Sequence, residues 1–273
     1  MTDIHDSELA PARGRRRVNM AECSTETWRP PLFGPAITRM QRFMAAVRRF
    51  VDLQAGSIWN DLKPELATVQ GTLVDVGCGA QPYRSLVNTN ARYVGLDIAE
   101  AKDRFGYEVP DTTYFTGDTW PIDSATIDAI LCTETLEHVC EPMLLLEEAA
   151  RCLRPNGRLI LTVPFAARWH FVPHDYWRYT PSSLKSLLER AGFRDVVVYA
   201  RGNALTVACY KNMALVLEPL LSPKRDARAL AARILSLPFI PLVLMLALVG
   251  NLSLRSASGH DCLGYSVLAN RCC

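Results

Sequence analysis

The chain has 273 residues, 49% hydrophobic and 21% charged, with a formal net charge of +2, which excludes a disordered chain, a collagen-like repeat and a disulfide miniprotein. The charge is unevenly spread: nine Lys/Arg against five Asp/Glu in residues 1–50, thirteen against twenty in 51–200, and eight against three in 201–273. An acidic middle argues against nucleic acid as a partner, because phosphate binding needs a cationic surface.

Residues 1–30 are polar and without periodicity, which predicts a disordered arm. They lack the layout of a secretory signal, since the arginines at 13 and 15–17 are followed by Asn19, Glu22 and Glu26. Nine cysteines with no C-x-x-C pair indicate neither a disulfide framework nor a zinc site, and predict a reducing, cytoplasmic compartment. A helical cap is expected over 31–70. Within it, Ile37, Met40, Phe43, Met44, Val47, Phe50 and Val51 recur at helical spacing among Arg39, Arg42, Arg48 and Arg49. This basic amphipathic helix, 37–51, either packs across one end of the domain or lies on a membrane surface.

A core over 71–202 follows, with short apolar runs near 72–76, 92–97, 112–117, 126–132, 157–163 and 195–200, and helical stretches at 141–153 and 181–191. Strands separated by helices imply parallel pairing through right-handed crossovers. The expected fold is α/β, a doubly wound Rossmann-like seven-stranded sheet with helices on both faces. Ligands then sit at the carboxyl ends of the strands. Residues 203–255 read as an apolar helical insertion, and 256–273 as the last strand and C-terminus. Ile234 to Leu254 is uncharged between Arg233 and Arg255 and long enough to span a bilayer. If Leu263 to Ala269 returns to the sheet, however, that segment cannot simply cross, and Pro238 and Pro241 interrupt it. A helical pair buried against the domain, dimerising, or lying in a membrane interface is expected. Lys224, Arg225, Arg228, Arg233 and Arg255 around it favour anionic headgroups.

The chemistry concentrates at strand ends. The run TLVDVGCGA, residues 72–80, closes a strand on Asp75, Gly77 and Gly79, where glycines let the backbone turn and approach a ligand. YVGLD ends the second strand on Asp97, placed to accept both hydroxyl protons of a ribose. Gly117-Asp118 ends the third, where a carboxylate can accept from an adenine amine. Each acid also has a structural alternative, as a helix cap, a turn residue or a solvated loop. A nicotinamide-binding domain would show G-x-G-x-x-G, which Gly77-Cys78-Gly79 followed by Ala-Gln-Pro does not complete.

DVGCG, LD at 96–97, GD at 117–118, IDAILCTETLEHV at 127–139 and LRPNGRLILTVP at 153–164 resemble the ordered motifs of class I S-adenosylmethionine-dependent methyltransferases, more narrowly the type 11 group associated with glycan and lipid modification. The resemblance covers about residues 71–200. It implies S-adenosyl-L-methionine as cofactor, with Asp75, Gly77, Cys78 and Gly79 at the methionine portion, Asp97 and Ile98 at the ribose, Gly117 and Asp118 at the adenine, and Thr133 and Glu134 near the sulfonium. Where many relatives have a third glycine, this chain has Gln81-Pro82.

Methyl transfer from a sulfonium needs alignment, a base for a hydroxyl acceptor, and no metal. Candidate bases are His138, and His174 with Asp175; packing or capping is the alternative for His138. The segment from His170 to Tyr179 gathers histidine, aromatic, carboxylate and guanidinium groups before a helix capped by Thr180. It is expected to bind acceptor through Tyr176, Trp177, Arg178 and Tyr179, the alternative being a surface loop whose aromatics fill a gap beside the core. The expected function is O-methylation of a saccharide or lipid-linked acceptor. The enzyme is expected to be cytoplasmic and peripheral on the membrane through 203–255 and 37–51. A methyltransferase for a soluble small metabolite, or a silent cofactor-binding scaffold subunit, are the alternatives.

Overall fold

The computed structural model describes residues 34–101, 103, 108–171, 173–222, 224, 226–256 and 259–273. The expected arm at 1–30 and Arg225 lie outside the described residues. Seven strands form one sheet in the order β3-β2-β1-β4-β5-β7-β6: β1 (Thr72–Val76), β2 (Arg92–Ile98), β3 (Thr112–Phe115), β4 (Ile127–Thr133), β5 (Leu153–Pro164), β6 (Phe193–Arg201) and β7 (Gly264–Arg271).

The alternation of a strand's side chains builds two cores, one on each face of the sheet. Leu73, Ala129, Leu131 and Ile160 meet Ile58, Leu62 and Leu66 of helix α2 (Leu53–Ala67) on one face. Val74, Val76, Ile130, Cys132, Leu159 and Leu161 meet Leu146 and Ala149 of α3 (Pro142–Cys152), and Leu184 and Leu188 of α4 (Pro181–Arg190), on the other. Thr180 caps α4 and Pro181 begins it, as expected.

Parallel pairing holds from β3 through β5, but β7 runs antiparallel to both β5 and β6. That reversal locates the insertion. Arg201, at the carboxyl end of β6, and Pro164, at the carboxyl end of β5, both pair with Gly264 at the start of β7. The chain between β6 and β7 therefore leaves from and returns to the carboxyl edge of the sheet.

This insertion is a hairpin of α5 (Ala204–Leu221) against α6 (Ala227–Ser236) and α7 (Ile240–Ser253), with a 3-10 turn at Leu237–Phe239 where Pro238 breaks the helix. Asn203 closes its base. Its side-chain oxygen accepts from the backbone N–H of Leu205 and Thr206, and its amide donates to the carbonyls of Ser253 and Ser256. Leu53, Cys209, Met213, Val243, Ala247 and Leu263 form a third core between α2 and the hairpin. Gly250 lets α7 approach α2, since a Cβ there would come 2.4 Å from Leu53 Cδ1.

The outer surfaces are apolar. Leu215, Ile234, Leu235, Phe239, Leu244, Met245, Leu248 and Leu252 are all at least half exposed. Helix α1 (Arg39–Val51), started by a Thr38/Gln41 capping box, contains no buried residue. Its apolar stripe is uncovered among the described residues, from Ile37 at 76% exposed to Phe50 at 37%. Asn251 of α7 donates to the Phe50 carbonyl, joining α1 to the hairpin.

Candidate functional site

At the carboxyl end of β1 the backbone turns through Gly77, at φ +65°, and Gly79, at φ +51°. A Cβ on Gly77 would sit 2.4 Å from Thr135 Cγ2, so only glycine fits. The N–H groups of Gly77 and Cys78 both donate to the Leu96 carbonyl, binding this turn to β2. Asp97, at the end of β2, accepts from the N–H of Gly79 and of Ile98 at 3.0 and 2.9 Å. Asp75 is buried; its Oδ2 accepts from the Tyr93 hydroxyl at 2.6 Å, and its Oδ1 has no partner among the described residues. Burial pushes the Asp75 carboxyl up to about 7, against the opposing pull of the Tyr93 hydrogen bond and with a further push from Asp97. Burial beside Asp75 and Asp97 likewise pushes the Cys78 thiol up to about 12, so it stays protonated.

Gly117, at φ +82°, borders open space after β3, and Asp118 beside it is exposed. A turn with no room for a Cβ, an orphaned buried carboxylate oxygen and acids after three adjacent strands fit an adenosyl cofactor. Gln81, where the third glycine was missing, keeps a left-handed backbone at φ +57°. Its buried side chain donates to Thr112 and accepts from Arg84, which offsets the roughly 1 kcal/mol cost of that conformation.

Thr133 ends β4, and its carbonyl accepts from the Thr135 hydroxyl. Glu134, at φ +47°, accepts from the Thr162 hydroxyl and from Arg201 at 2.9 Å. Arg201 is fully buried and also donates to Gln54 and the Val163 carbonyl. Sequence reasoning missed it, because an arginine at a strand end reads as an exposed charge.

The second region joins the turn after β4 to the segment between β5 and α4. Asp175 is fully enclosed and accepts two bonds from Arg178, at 2.5 and 2.7 Å, and two from His170, at its backbone N–H and at Nδ1. Although burial pushes its carboxyl up, those hydrogen bonds outweigh it and hold Asp175 well below the usual carboxylate range. Asp175 is thus a tether rather than a base. Arg178, expected as an acceptor anchor, is committed to Asp175 and to the Arg168 and Trp177 carbonyls. Tyr179 departs from the expected set most clearly: its ring belongs to the core and its hydroxyl donates to the Leu136 carbonyl. Tyr176 and Trp177 are exposed, and with Ala167, Trp169, Asp175 and Arg178 they line an open cleft of about 290 Å³. Trp177 Nε1 donates to the Val139 carbonyl, tying that cleft to the turn after β4.

His174 is half-buried, with Nδ1 3.3 Å from the Tyr176 hydroxyl, while its carbonyl accepts from His138 Nδ1 at 2.6 Å. Burial lowers His138 to about 4, with His170 adding to the shift, which makes it a poor proton acceptor at neutral pH. Glu137 is fully buried with neither carboxylate oxygen hydrogen-bonded among the described residues, and burial followed by the charge of Glu134 raises its carboxyl well above the ordinary range. Glu137 and His170 were not selected from the sequence, since only the folded approach of two loops brings them together.

A family model described as a methyltransferase domain matches residues 40–198. The chain is 28% identical over 168 residues to an uncharacterised methyltransferase of Mycobacteroides abscessus, covering 51% of this chain and 64% of the relative. It is 27% identical over 155 residues to a ubiquinone biosynthesis O-methyltransferase of Dinoroseobacter shibae, covering 45% and 60%. The chain spans about a third to two thirds of the length of the curated relatives it matches. A solved S-adenosylmethionine-dependent methyltransferase of Archaeoglobus fulgidus aligns with 84% of this chain and 99% of its own, at a TM-score of 0.49 and 15% identity.

Proposed function

Because the chain belongs to the methyltransferase domain family, whose class I members use S-adenosyl-L-methionine, we propose that it methylates an oxygen of a saccharide or lipid-linked acceptor at a membrane surface. The cofactor supplies, when bound, a methyl group on a sulfonium, which is electrophilic without further activation. Asp75, Gly77, Cys78 and Gly79 hold its methionine portion, Asp97 and Ile98 its ribose, and Gly117 and Asp118 its adenine. Thr133 and Glu134 border the sulfonium, with Arg201 fixing the Glu134 carboxylate. His174 takes the acceptor proton, and Tyr176 and Trp177 offer the acceptor a flat apolar wall.

The observation that carries the acceptor class is topological. The hairpin of α5, α6 and α7 starts and ends on the carboxyl edge of the sheet, where the residues proposed to hold the cofactor lie, and its outer surface is apolar. By length and composition, both arms of the hairpin are apolar enough to enter a bilayer, and only 17% of the most apolar 18-residue stretch of each is buried. Both ends return to one edge, so contact with lipid comes from one side, as an interface helix pair would make it. The relatives named for ubiquinone biosynthesis support oxygen as the acceptor atom.

The test is transfer from radiolabelled S-adenosylmethionine into a membrane extract. Label in the lipid-extractable fraction is expected, and His174→Ala is expected to lower kcat at least tenfold with cofactor affinity unchanged. Label confined to water-soluble small molecules favours a soluble metabolite as acceptor. Tight cofactor binding with no transfer to any fraction favours a scaffold role.

A further inference from the structure

We infer that Glu137, His138 and His170 form a binding site for one divalent transition-metal ion, beside the acceptor region at the carboxyl edge of the sheet. One ligand atom from each of these residues lies within 4.8 Å of the others. Glu137 is fully buried at the centre of this cluster, with both carboxylate oxygens lacking a donor among the described residues.

His138 Nδ1 is 2.6 Å from the His174 carbonyl oxygen, and a carbonyl only accepts, so Nδ1 carries the proton. Nε2 is then the ring nitrogen that can ligate an ion. That nitrogen faces Glu137 Oε1 at 3.6 Å, and neither Glu137 oxygen has a hydrogen-bond donor among the described residues. Burial favours a proton on this carboxyl when no cation is present, and a divalent ion seated between the two groups would displace that proton and take both as ligands. His170 repeats the pattern. Its Nδ1 is 3.0 Å from both the Asp175 carboxylate and the Arg168 carbonyl, two acceptors, so Nδ1 donates to them and Nε2 is the nitrogen left to ligate an ion.

A cation resolves all three at once. The arrangement of Asp175 behind His170 and the His174 carbonyl behind His138 is the outer shell that fixes tautomer and ring orientation in metal sites. Two imidazoles and one carboxylate suit zinc or another first-row divalent ion better than magnesium or calcium, and they leave a coordination position open. With zinc–ligand bonds of about 2.0–2.1 Å, tetrahedral ligands stand roughly 3.4 Å apart. The Glu137–His138 pair is already near that spacing at 3.6 Å, and no pair within the 4.8 Å limit has to close by more than about 1.4 Å. His170 lies on the irregular segment after β5, where such a shift costs little.

Glu137 follows Glu134 by three residues, and Tyr176 and Trp177 donate their backbone N–H groups to the Glu137 carbonyl. An ion with an open position there would lower the pKa of an acceptor hydroxyl and assist His174. Binding of the ion does not depend on the acceptor proposed above, so each idea fails separately.

The experiment uses the full-length protein, stripped with chelator, dialysed, and titrated with Zn²⁺ and, for its visible bands, with Co²⁺. One ion per chain is expected by elemental analysis, with Co²⁺ absorption of a low-coordinate site. His170→Ala and Glu137→Gln are each expected to weaken Zn²⁺ binding at least 100-fold, and Asp175→Asn by 10–100-fold. His170 is partly exposed, so its variant is expected to fold even if Glu137→Gln does not, and circular dichroism verifies that. Binding of less than 0.2 ion per chain would overturn the site. So would affinity unchanged in folded His170→Ala, which would assign the ion to surface cysteines instead.

Discussion

Asp75 couples the turn after β1 to pH. In an unfolded chain its carboxyl ionises near 4, whereas burial raises it to about 7 in the fold. The folded state therefore holds this proton more tightly. Its contribution to stability is complete below pH ~4 and is lost as pH rises through about 7. Asp75→Asn keeps an oxygen to accept from Tyr93 and removes the titration. Urea denaturation of the variant should show less decline between pH 4 and 7 than the parent, by up to ~4 kcal/mol; parallel curves would refute the assignment. The glycines separate in the same way. Gly77→Ala meets Thr135 and a left-handed backbone together, and should cost ~3 kcal/mol and abolish cofactor binding in calorimetry. Gly117→Ala meets open space and should cost only ~1 kcal/mol. The acids and glycines at these strand ends stand out in the sequence because each closes or follows an apolar run. Glu137 and His170 were not, since neither type nor spacing reveals that a buried carboxylate lacks a donor.

Elements were read well where one periodicity dominated. The runs expected near 72–76 and 126–132 alternate between two cores, the run near 195–200 turns Val196, Val198 and Ala200 to one core and leaves Val197 and Tyr199 exposed, and the helix expected at 181–191 opens on a Thr-Pro cap. The antiparallel direction of β7 was not legible, because a strand's pattern is the same read either way. That direction rests on tertiary contacts at its first residue. Gly264 abuts the Arg201 guanidinium and the Val163 carbonyl too closely for any Cβ. The hairpin depends similarly on Asn203, which caps α5 and holds the end of α7. Asn203→Ala removes a cap worth ~1 kcal/mol and leaves the Ser253 and Ser256 carbonyls with one donor fewer. A loss of ~2 kcal/mol is expected, with faster amide exchange in α5 and α7 and unchanged exchange in α3. Equal acceleration in all three helices would mean that the hairpin is not a separate unit.

The whole molecule combines a covered sheet with uncovered helices. Composition alone could not distinguish a buried apolar hairpin from an exposed one, because burial is decided by what packs against it. Here the outward faces of α5, α6 and α7 continue into the stripe of α1, whose Arg39 and Arg42 are exposed. Apolar side chains beside arginines match the boundary between acyl chains and anionic headgroups. The two contributions separate by experiment. Raising salt from 0.1 to 0.5 M screens the arginines but not the apolar contact, so flotation with anionic vesicles should weaken without vanishing. Arg39→Glu with Arg42→Glu should lower partitioning into anionic vesicles by at least ~30-fold, at ~1 kcal/mol per positive charge lost near the surface, and leave neutral vesicles unaffected. Leu244→Ser with Leu248→Ser should weaken both. If neither vesicle binds and sedimentation gives a dimer that the leucine variants dissociate, a second copy of the chain covers this face and the acceptor reaches the site from solution.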